Sequence, residues 1–379
     1  MKNIAIDVRS LMEEKLTGVG EYTFNLLKSL FSIDQQNQYY LFYNKREPYL
    51  KHINCLCQDN VTLCEFTYPN KLLNACIKIF KRPFLDSLIL SKYNKKADVF
   101  FFPNINFLSI SPIGKYIITA HDLSFKIFPY FYSLKRRIWH NSIDCRQIFK
   151  NAYKIIAVSE NTKRDLIDLY NINPNKIKVI HSGVNINFSK DKKGQIKQKY
   201  NLPDKFILGL GTLEPRKNIE SLIEAFALLK QKTNFPHKLV IAGAKGWKYN
   251  EIFNLIQKLK LENEIFFPGY IDIKDKPYIY NLADIFIYPS YYEGFGFPPL
   301  EAMACRTPVI TSHTSSLTEI CENTALFIDP YNINEIYWAI KEILSDNNLR
   351  ANLIGKGSVQ VQKFNWQQTA EKFLQTIID

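Results

Sequence analysis

Short apolar runs rich in β-branched and aromatic residues alternate along this chain with longer stretches whose apolar positions recur every three or four residues. The first pattern predicts buried strands and the second amphipathic helices. Strands are expected at Asn3–Asp7, 39–43, 61–66, 98–103, 116–120 and 154–159, and the stretch 176–185 closes the first half. A helix opened by Gly18-Val19-Gly20 carries Tyr22, Leu26, Leu27 and Leu30 on one face, a second spans Ser133 to Lys150, and Ser159 caps a third running to Tyr170. After a polar, lysine-rich segment from Ser189 to Tyr200, placed as the linker, the alternation restarts. Strands are expected at 205–211, 238–243, 264–267, 283–288, 307–311 and 324–329, with a helix over 219–230 and a helical tail over 332–344 and 348–378. Two βα-alternating halves predict an α/β protein of two Rossmann-like, doubly wound domains facing across a cleft. The expected boundaries are 1–188, 189–350 and a C-terminal helix, 351–379, packing back on the first domain.

The stretch from Tyr288 to Cys305 concentrates the chemistry. A buried strand ends at Pro289, Glu293, Gly294 and Gly296 make a turn, and Pro298 stands where a first helical turn accepts it. Glu293 lies in the turn and Glu301 is expected in the first helical turn. A helix start favours anions, so two acids beside it make sense if they grip hydroxyls of the same ligand. Arg216 and Lys217 follow another strand end. A guanidinium fork and a compact ammonium suit a diphosphate, and Asn218 is placed to cap the helix behind them. Gly18 and Gly20 repeat the strand, glycine turn and helix order, and His121 ends a strand, where polar side chains of open α/β sheets face the ligand crevice.

Composition narrows the partners. At 379 residues, with 46% hydrophobic and 22% charged residues, the chain is an ordinary globular protein. Its net charge of +13 implies an acidic partner: nucleic acid, an anionic membrane surface or a phosphorylated small molecule. Between Lys71 and Lys96, seven basic residues and one acid, Asp86, interleave with Leu72, Ile77, Phe80, Phe84, Leu88 and Ile89. One or two basic amphipathic helices are expected there, either a solvated face or a reversible dock on an anionic leaflet. No apolar run is long enough to span a membrane, and the N-terminus enters a strand directly, so no signal peptide is expected. The seven cysteines lack paired metal-ligand spacing and are expected to be reduced thiols of a cytoplasmic protein, peripheral at most on the inner face of the cell membrane.

Thr212-Leu-Glu-Pro-Arg-Lys-Asn218 together with Glu293-x7-Glu301 resembles the retaining glycosyltransferases of family four, with GT-B architecture, from Gly18 to the C-terminal helix. The resemblance implies that Glu301 holds the nucleotide ribose and Glu293 the donor sugar. Gly294, Phe295, Gly296, Phe297, Pro298 and Leu300 belong to the stretch that offers backbone N–H groups to sugar and phosphate. By the same resemblance Arg216 and Lys217 neutralise the diphosphate, Gly18 and Gly20 belong to a loop closing over it, and His121 lies near the reacting carbon. His121-Asp-Leu-Ser-Phe, Phe128-Pro-Tyr-Phe-Tyr and Arg137-x-Trp139-His140 resemble members that transfer mannose from GDP-mannose, or rhamnose, in surface-polysaccharide assembly. Tyr130 stands where related sequences lead one to expect an acid, which bears on acceptor choice. The expected substrates are a nucleotide-diphosphate sugar and a glycan or lipid-linked acceptor. No Asp-x-Asp pair occurs, so no cofactor and no metal is expected.

Three other classes compete. A nicotinamide-dependent oxidoreductase should carry Gly-x-Gly-x-x-Gly directly after its first strand, and Thr23 stands where the third glycine belongs. A nucleic-acid binder should show a reading module, whereas the lysines here are spread through both halves, so no nucleic acid is expected. A sugar-nucleotide epimerase shares the GT-B architecture but not Glu293-x7-Glu301. Within the transferases, rhamnosyl or glucosyl transfer from a dTDP or UDP donor is the alternative.

Overall fold

The computed structural model describes residues 1–44, 51–185 and 193–378. The chain forms two compact units. The first comprises Met1–Phe125, Leu134–Gly183 and Asn365–Asp379, and the second Lys126–Ser133 and Val184–Phe364.

The first unit holds a seven-stranded parallel sheet: β1 (Asn3–Asp7), β2 (Gln38–Asn44), β3 (Val61–Phe66), β4 (Val99–Phe102), β5 (Tyr116–Ala120), β6 (Lys154–Ala157) and β7 (Ile177–Val179), in the order β3-β2-β1-β4-β5-β6-β7. Helices cover both faces of such a sheet, so its central strands are apolar throughout instead of alternating. Val99, Phe100, Phe101 and Phe102 are all buried. The helix Gly18–Ile33 buries Tyr22, Leu26, Leu27, Leu30 and Phe31. The C-terminal helix Trp366–Ile378 also belongs to this unit and sets Phe373 on Phe101, ring centroids 4.4 Å apart.

The second unit holds a six-stranded parallel sheet: β8 (Phe206–Leu210), β9 (Lys238–Ala242), β10 (Ile265–Gly269), β11 (Ile285–Tyr288), β12 (Val309–Ser312) and β13 (Leu326–Ile328), ordered β10-β9-β8-β11-β12-β13. Both orders reverse once, between β1 and β4 and between β8 and β11. Ligands of doubly wound sheets bind beyond the carboxyl ends of the strands at that reversal.

Several local expectations are corrected. The helix expected over Ser133–Lys150 is two, Leu134–Ser142 and Cys145–Asn151. Asp144 interrupts it because its carboxylate accepts the Gln147 N–H at 3.1 Å and caps a fresh start. The tail over 348–378 is likewise broken. The helix Asn347–Gln360 ends in a tight turn, and the Asn365 side chain accepts the Gln367 N–H at 2.7 Å to begin the last helix. The second unit therefore runs through Phe364 and the return lies at Asn365, not 351. Gly357 shows why the preceding helix stays with the second unit: a Cβ there would come within 3.0 Å of Met303. The expected linker lies outside the described residues up to position 192, as does the boundary at 188, and Lys193–Lys199 is helical. As expected, the basic segment is helical: it forms two helices, Asn70–Phe80 and Leu85–Tyr93, the first ended by Lys81 in left-handed conformation. No disulfide joins the seven cysteines. No described helix is long and apolar enough to cross a membrane.

Candidate active site

The reversal in the second sheet is where the charged residues gather. Beyond β8 the chain makes a tight turn, Pro215–Lys217, with proline fixing its first position. Beyond β11 it runs through Pro289 and Ser290 to Glu293. The two loops meet in one buried network. The Glu293 carboxylate receives Arg216 Nη1 at 2.8 Å on one oxygen, and Lys217 Nζ and Ser290 Oγ, each at 2.7 Å, on the other. Arg216 also grips Glu214 through Nε (3.1 Å) and Nη2 (2.8 Å), and donates to the Tyr292 carbonyl at 2.9 Å. Lys217 lies 4.7 Å above the Tyr288 ring and hydrogen-bonds a tyrosine hydroxyl, that of Tyr288 itself. The loop is pinned by serines: Glu293 N–H donates to Ser315 Oγ at 2.8 Å, and Ser316 Oγ donates to the carbonyls of Glu293 (2.9 Å) and Phe295 (2.8 Å).

Burial opposes a charge on Glu293, but the Arg216 and Lys217 cations and the hydrogen bonds from Lys217 and Ser290 outweigh it. They hold its carboxyl down at about 2. The cations expected to meet a diphosphate are thus already shared with an acid that fixes their direction. Two cations, two carboxylates and a phenol beside them can grip an anionic or richly hydroxylated ligand.

Gly296, with φ of 106°, turns the chain into the helix Phe297–Ala304, whose positive dipole end lies at Phe297 and Pro298. Only glycine adopts that φ without strain. A helix beginning at Phe297 puts Glu301 in its second turn, a correction to the expected first. Glu301 has partners of its own: Tyr280 donates to it at 2.8 Å and Lys276 lies at 3.4 Å. It is less enclosed than Glu293. Gly294, Phe295 and Leu300 are buried, and Phe297 and Pro298 partly so. Asn218 does not cap. It takes a left-handed conformation, and its side-chain amide donates to the Pro330 carbonyl at 2.6 Å, so the loop is tied to the segment after β13.

In the first unit, His121 follows β5. One ring nitrogen bonds the Pro103 carbonyl at 2.8 Å, and the ring stands edge-on to Tyr22 at 4.7 Å, whose hydroxyl is 3.2 Å from Thr119. Burial outweighs the Pro103 bond and lowers its pKa, leaving it neutral near neutral pH. Gly18 and Gly20 lie inside the first turn of the helix Gly18–Ile33, not in a turn before it, and neither has a positive φ. The structure thus joins Arg216, Lys217 and Glu293 directly, sets Glu301 on a separate pair of partners in the same unit, and places His121, Gly18 and Gly20 in the other unit. Sequence reasoning missed Glu214, Ser290, Ser315, Ser316, Tyr280 and Lys276. Glu214 and Ser290 lay inside the quoted motifs, whereas Tyr280 and Lys276 reach Glu301 from a separate helix that carries no motif.

Residues 17–188 match Glycosyltransferase Family 4, and residues 192–359 match Glycosyl transferases group 1. The chain belongs to this glycosyltransferase family. A relative over most of the length is the O-antigen chain mannosyltransferase B of Escherichia coli, 29% identical over 361 residues that make up 93% of each chain. The serotype-specific mannosyltransferase WbdA of Escherichia coli is 32% identical over 229 residues, 59% of this chain but 28% of that protein. The crystal structure of Anabaena HepE in complex with UDP and glucose matches this glycosyltransferase with a TM-score of 0.74 at 19% identity, covering 100% of this chain and 99% of that one. The fold is GT-B.

Proposed function

We propose that this glycosyltransferase moves mannose from GDP-mannose to a hydroxyl of a glycan or lipid-linked acceptor in surface-polysaccharide assembly, with retention of anomeric configuration and without a metal ion. The observation that carries the reading is the Arg216–Lys217–Glu293 network at the reversal of the second sheet. The choice of mannose rests on the names of the two Escherichia coli relatives.

In this reading the nucleoside diphosphate leaves the anomeric carbon, oxocarbenium character develops on the sugar, and the acceptor hydroxyl attacks from the face the diphosphate vacated, passing its proton to the departing phosphate oxygen. Arg216 and Lys217 meet the charge growing on the leaving phosphate, each such donor supplying roughly 2.7–4 kcal/mol. Glu293, kept ionised by the same cations, orients them and accepts from donor-sugar hydroxyls, and Glu301 accepts from the ribose. Protein cations take the place of a divalent ion, in keeping with the lack of an Asp-x-Asp pair. The helices Asn70–Phe80 and Leu85–Tyr93 hold the enzyme on an anionic inner leaflet. In the first of them Leu73 and Ile77 point inward, while Leu72, Ile79 and Phe80 are exposed among Lys71, Lys78 and Lys81.

Incubation with a panel of sugar nucleotides and a mannose-terminated acceptor tests the reading. Release of GDP from GDP-mannose, an α-linked product by NMR and undiminished transfer in excess chelator are expected. Preference for a UDP or dTDP sugar, a β-linked product or strict Mn²⁺ dependence would each overturn the corresponding part.

A further inference from the structure

The second unit carries an aromatic row whose inner rings hold the segment 126–133 in place and whose outer rings are left exposed. Residues Lys126–Ser133 leave the end of the β5 region yet belong to the second unit. They are clamped there by side chains that bond their carbonyls: Trp247 Nε1 donates to the Phe131 carbonyl at 2.5 Å and Lys248 Nζ to the Tyr130 carbonyl at 3.2 Å. Phe131 stacks on Tyr291 with ring centroids 5.3 Å apart and planes 15° from parallel, and Tyr291 packs on Tyr331 at 4.7 Å. Tyr130 stands against Phe131 at 4.6 Å. The outer two rings of this row are open to solvent, Tyr130 58% exposed and Tyr331 65%. Aromatic rings held rigidly by other rings and left exposed lose little freedom on binding a flat apolar surface.

The row is built into the loop that bears the diphosphate-binding candidates. Tyr291 N–H donates to the Arg216 carbonyl at 3.0 Å, and Asn218 donates to the carbonyl of Pro330, the residue before Tyr331. A molecule lying on Tyr130 and Tyr331 would therefore sit beside Arg216–Asn218. The surface joins aromatic faces to phenolic hydroxyls. A pyranose ring matches both, because its C–H face suits the electron-rich ring face and its rim hydroxyls can pair with the phenols.

We propose that Tyr130 and Tyr331, backed by Phe131 and Tyr291, form a stacking subsite for a sugar ring of the acceptor glycan beside the Arg216–Asn218 loop. The inference rests on the reading that the acceptor is a glycan. It assigns acceptor recognition to Tyr130 and Tyr331.

The test measures acceptor and donor KM separately, with a linear mannose oligosaccharide as acceptor and GDP-mannose as donor. Tyr130→Ala and Tyr331→Ala should each raise the acceptor KM about threefold to tenfold while the donor KM holds, and Tyr130→Phe should restore most of the loss. An unchanged acceptor KM would overturn the subsite. So would a donor KM that rises in step, since the row would then only prop the Arg216 loop. If the wild-type enzyme transfers no sugar to any acceptor, the proposed function fails instead. Saturation-transfer NMR with the same oligosaccharide then still decides the subsite: contact with the wild-type protein that is lost in the double alanine variant upholds it, and no contact with the wild-type protein ends it.

Discussion

The loop around Glu293 in the second unit and the loop around His121 in the first follow strands of similarly ordered parallel sheets, yet they are held together by different forces. Glu293 is fixed by charge: two cations and a serine converge on one carboxylate, from loops 76 residues apart in sequence. His121 is fixed by a neutral bond to Pro103 and the edge of the Tyr22 ring. A shared strand order thus says where a ligand can bind and leaves the chemistry to the side chains placed there. The charged loop is expensive to break, because removing one partner strands another charge in a buried site. The neutral loop loses only a contact.

Stability separates the two most sharply. Glu293→Gln should destabilise the protein by about 3–5 kcal/mol, since Arg216 would keep a buried charge without its carboxylate and Lys217, whose pKa burial already lowers, would lose the carboxylate that supports its charge. His121→Asn should cost about 1 kcal/mol, the worth of one hydrogen bond and an aromatic contact. Urea unfolding of both variants measures this, and equal losses would mean that the Glu293 network is not under the strain of burial inferred for it.

Activity sharpens the contrast within the charged loop. Arg216→Ala should cut turnover about a hundredfold or more once corrected for the folded fraction, as expected for loss of a donor to the leaving phosphate. Arg216→Lys should recover part of it, because a charge remains without the guanidinium fork that spans Glu214 and Glu293. Near-normal turnover of the alanine variant would remove Arg216 from the reaction.

Acidification titrates the two loops in different windows. Both groups have a folded pKa below the unfolded one, so each contributes stability that is present above its unfolded value and lost as pH falls through its folded value. For His121 the loss begins below the ordinary histidine value of 6.5, because burial favours the neutral ring. For Glu293 it begins only near 4.5 and is complete only below about 2, amounting to about 2 kcal/mol by pH 3. Carbon-13 NMR of the Glu293 carboxyl, and of the His121 ring, would resolve the two windows. A Glu293 midpoint near 4.5 would show that its cations do not hold it ionised.

How much of this was legible beforehand follows the same division. The strand order and the two halves could be read because parallel strands are apolar runs, and runs such as Val99–Phe102 are buried as written. Arg216, Lys217, Glu293 and Glu301 could be singled out because each lies beside a strand end or a glycine turn. Their pairing could not, since nothing in sequence periodicity brings residue 216 to residue 293 instead of leaving it to solvent. Helix breaks at Asp144 and Asn365 were missed because each depends on one side chain capturing a backbone N–H, a local competition that apolar spacing does not record. The attachment of 126–133 to the second unit was hidden for a different reason. It depends on ring-on-ring contacts with Trp247, Tyr291 and Tyr292, more than a hundred residues away.

The glycines give the smallest predicted difference, and it separates two positions that look alike in sequence. Gly18 and Gly296 each stand at the start of a helix after a strand. Gly296 has φ of 106°, and a Cβ there would come within 2.8 Å of Leu317 Cδ2. Gly296→Ala should therefore cost about 1–3 kcal/mol and displace the start of the helix that carries Glu301. Gly18 is already helical, and a Cβ there would meet nothing within 4 Å. Gly18→Ala should leave stability unchanged or raise it by about 0.5–1 kcal/mol, because alanine loses less backbone freedom on entering the helix. Thermal melts of the two variants decide it. If Gly18→Ala keeps full stability but raises the donor KM, the residue is needed for ligand approach, a role that its helical backbone conformation alone does not demand.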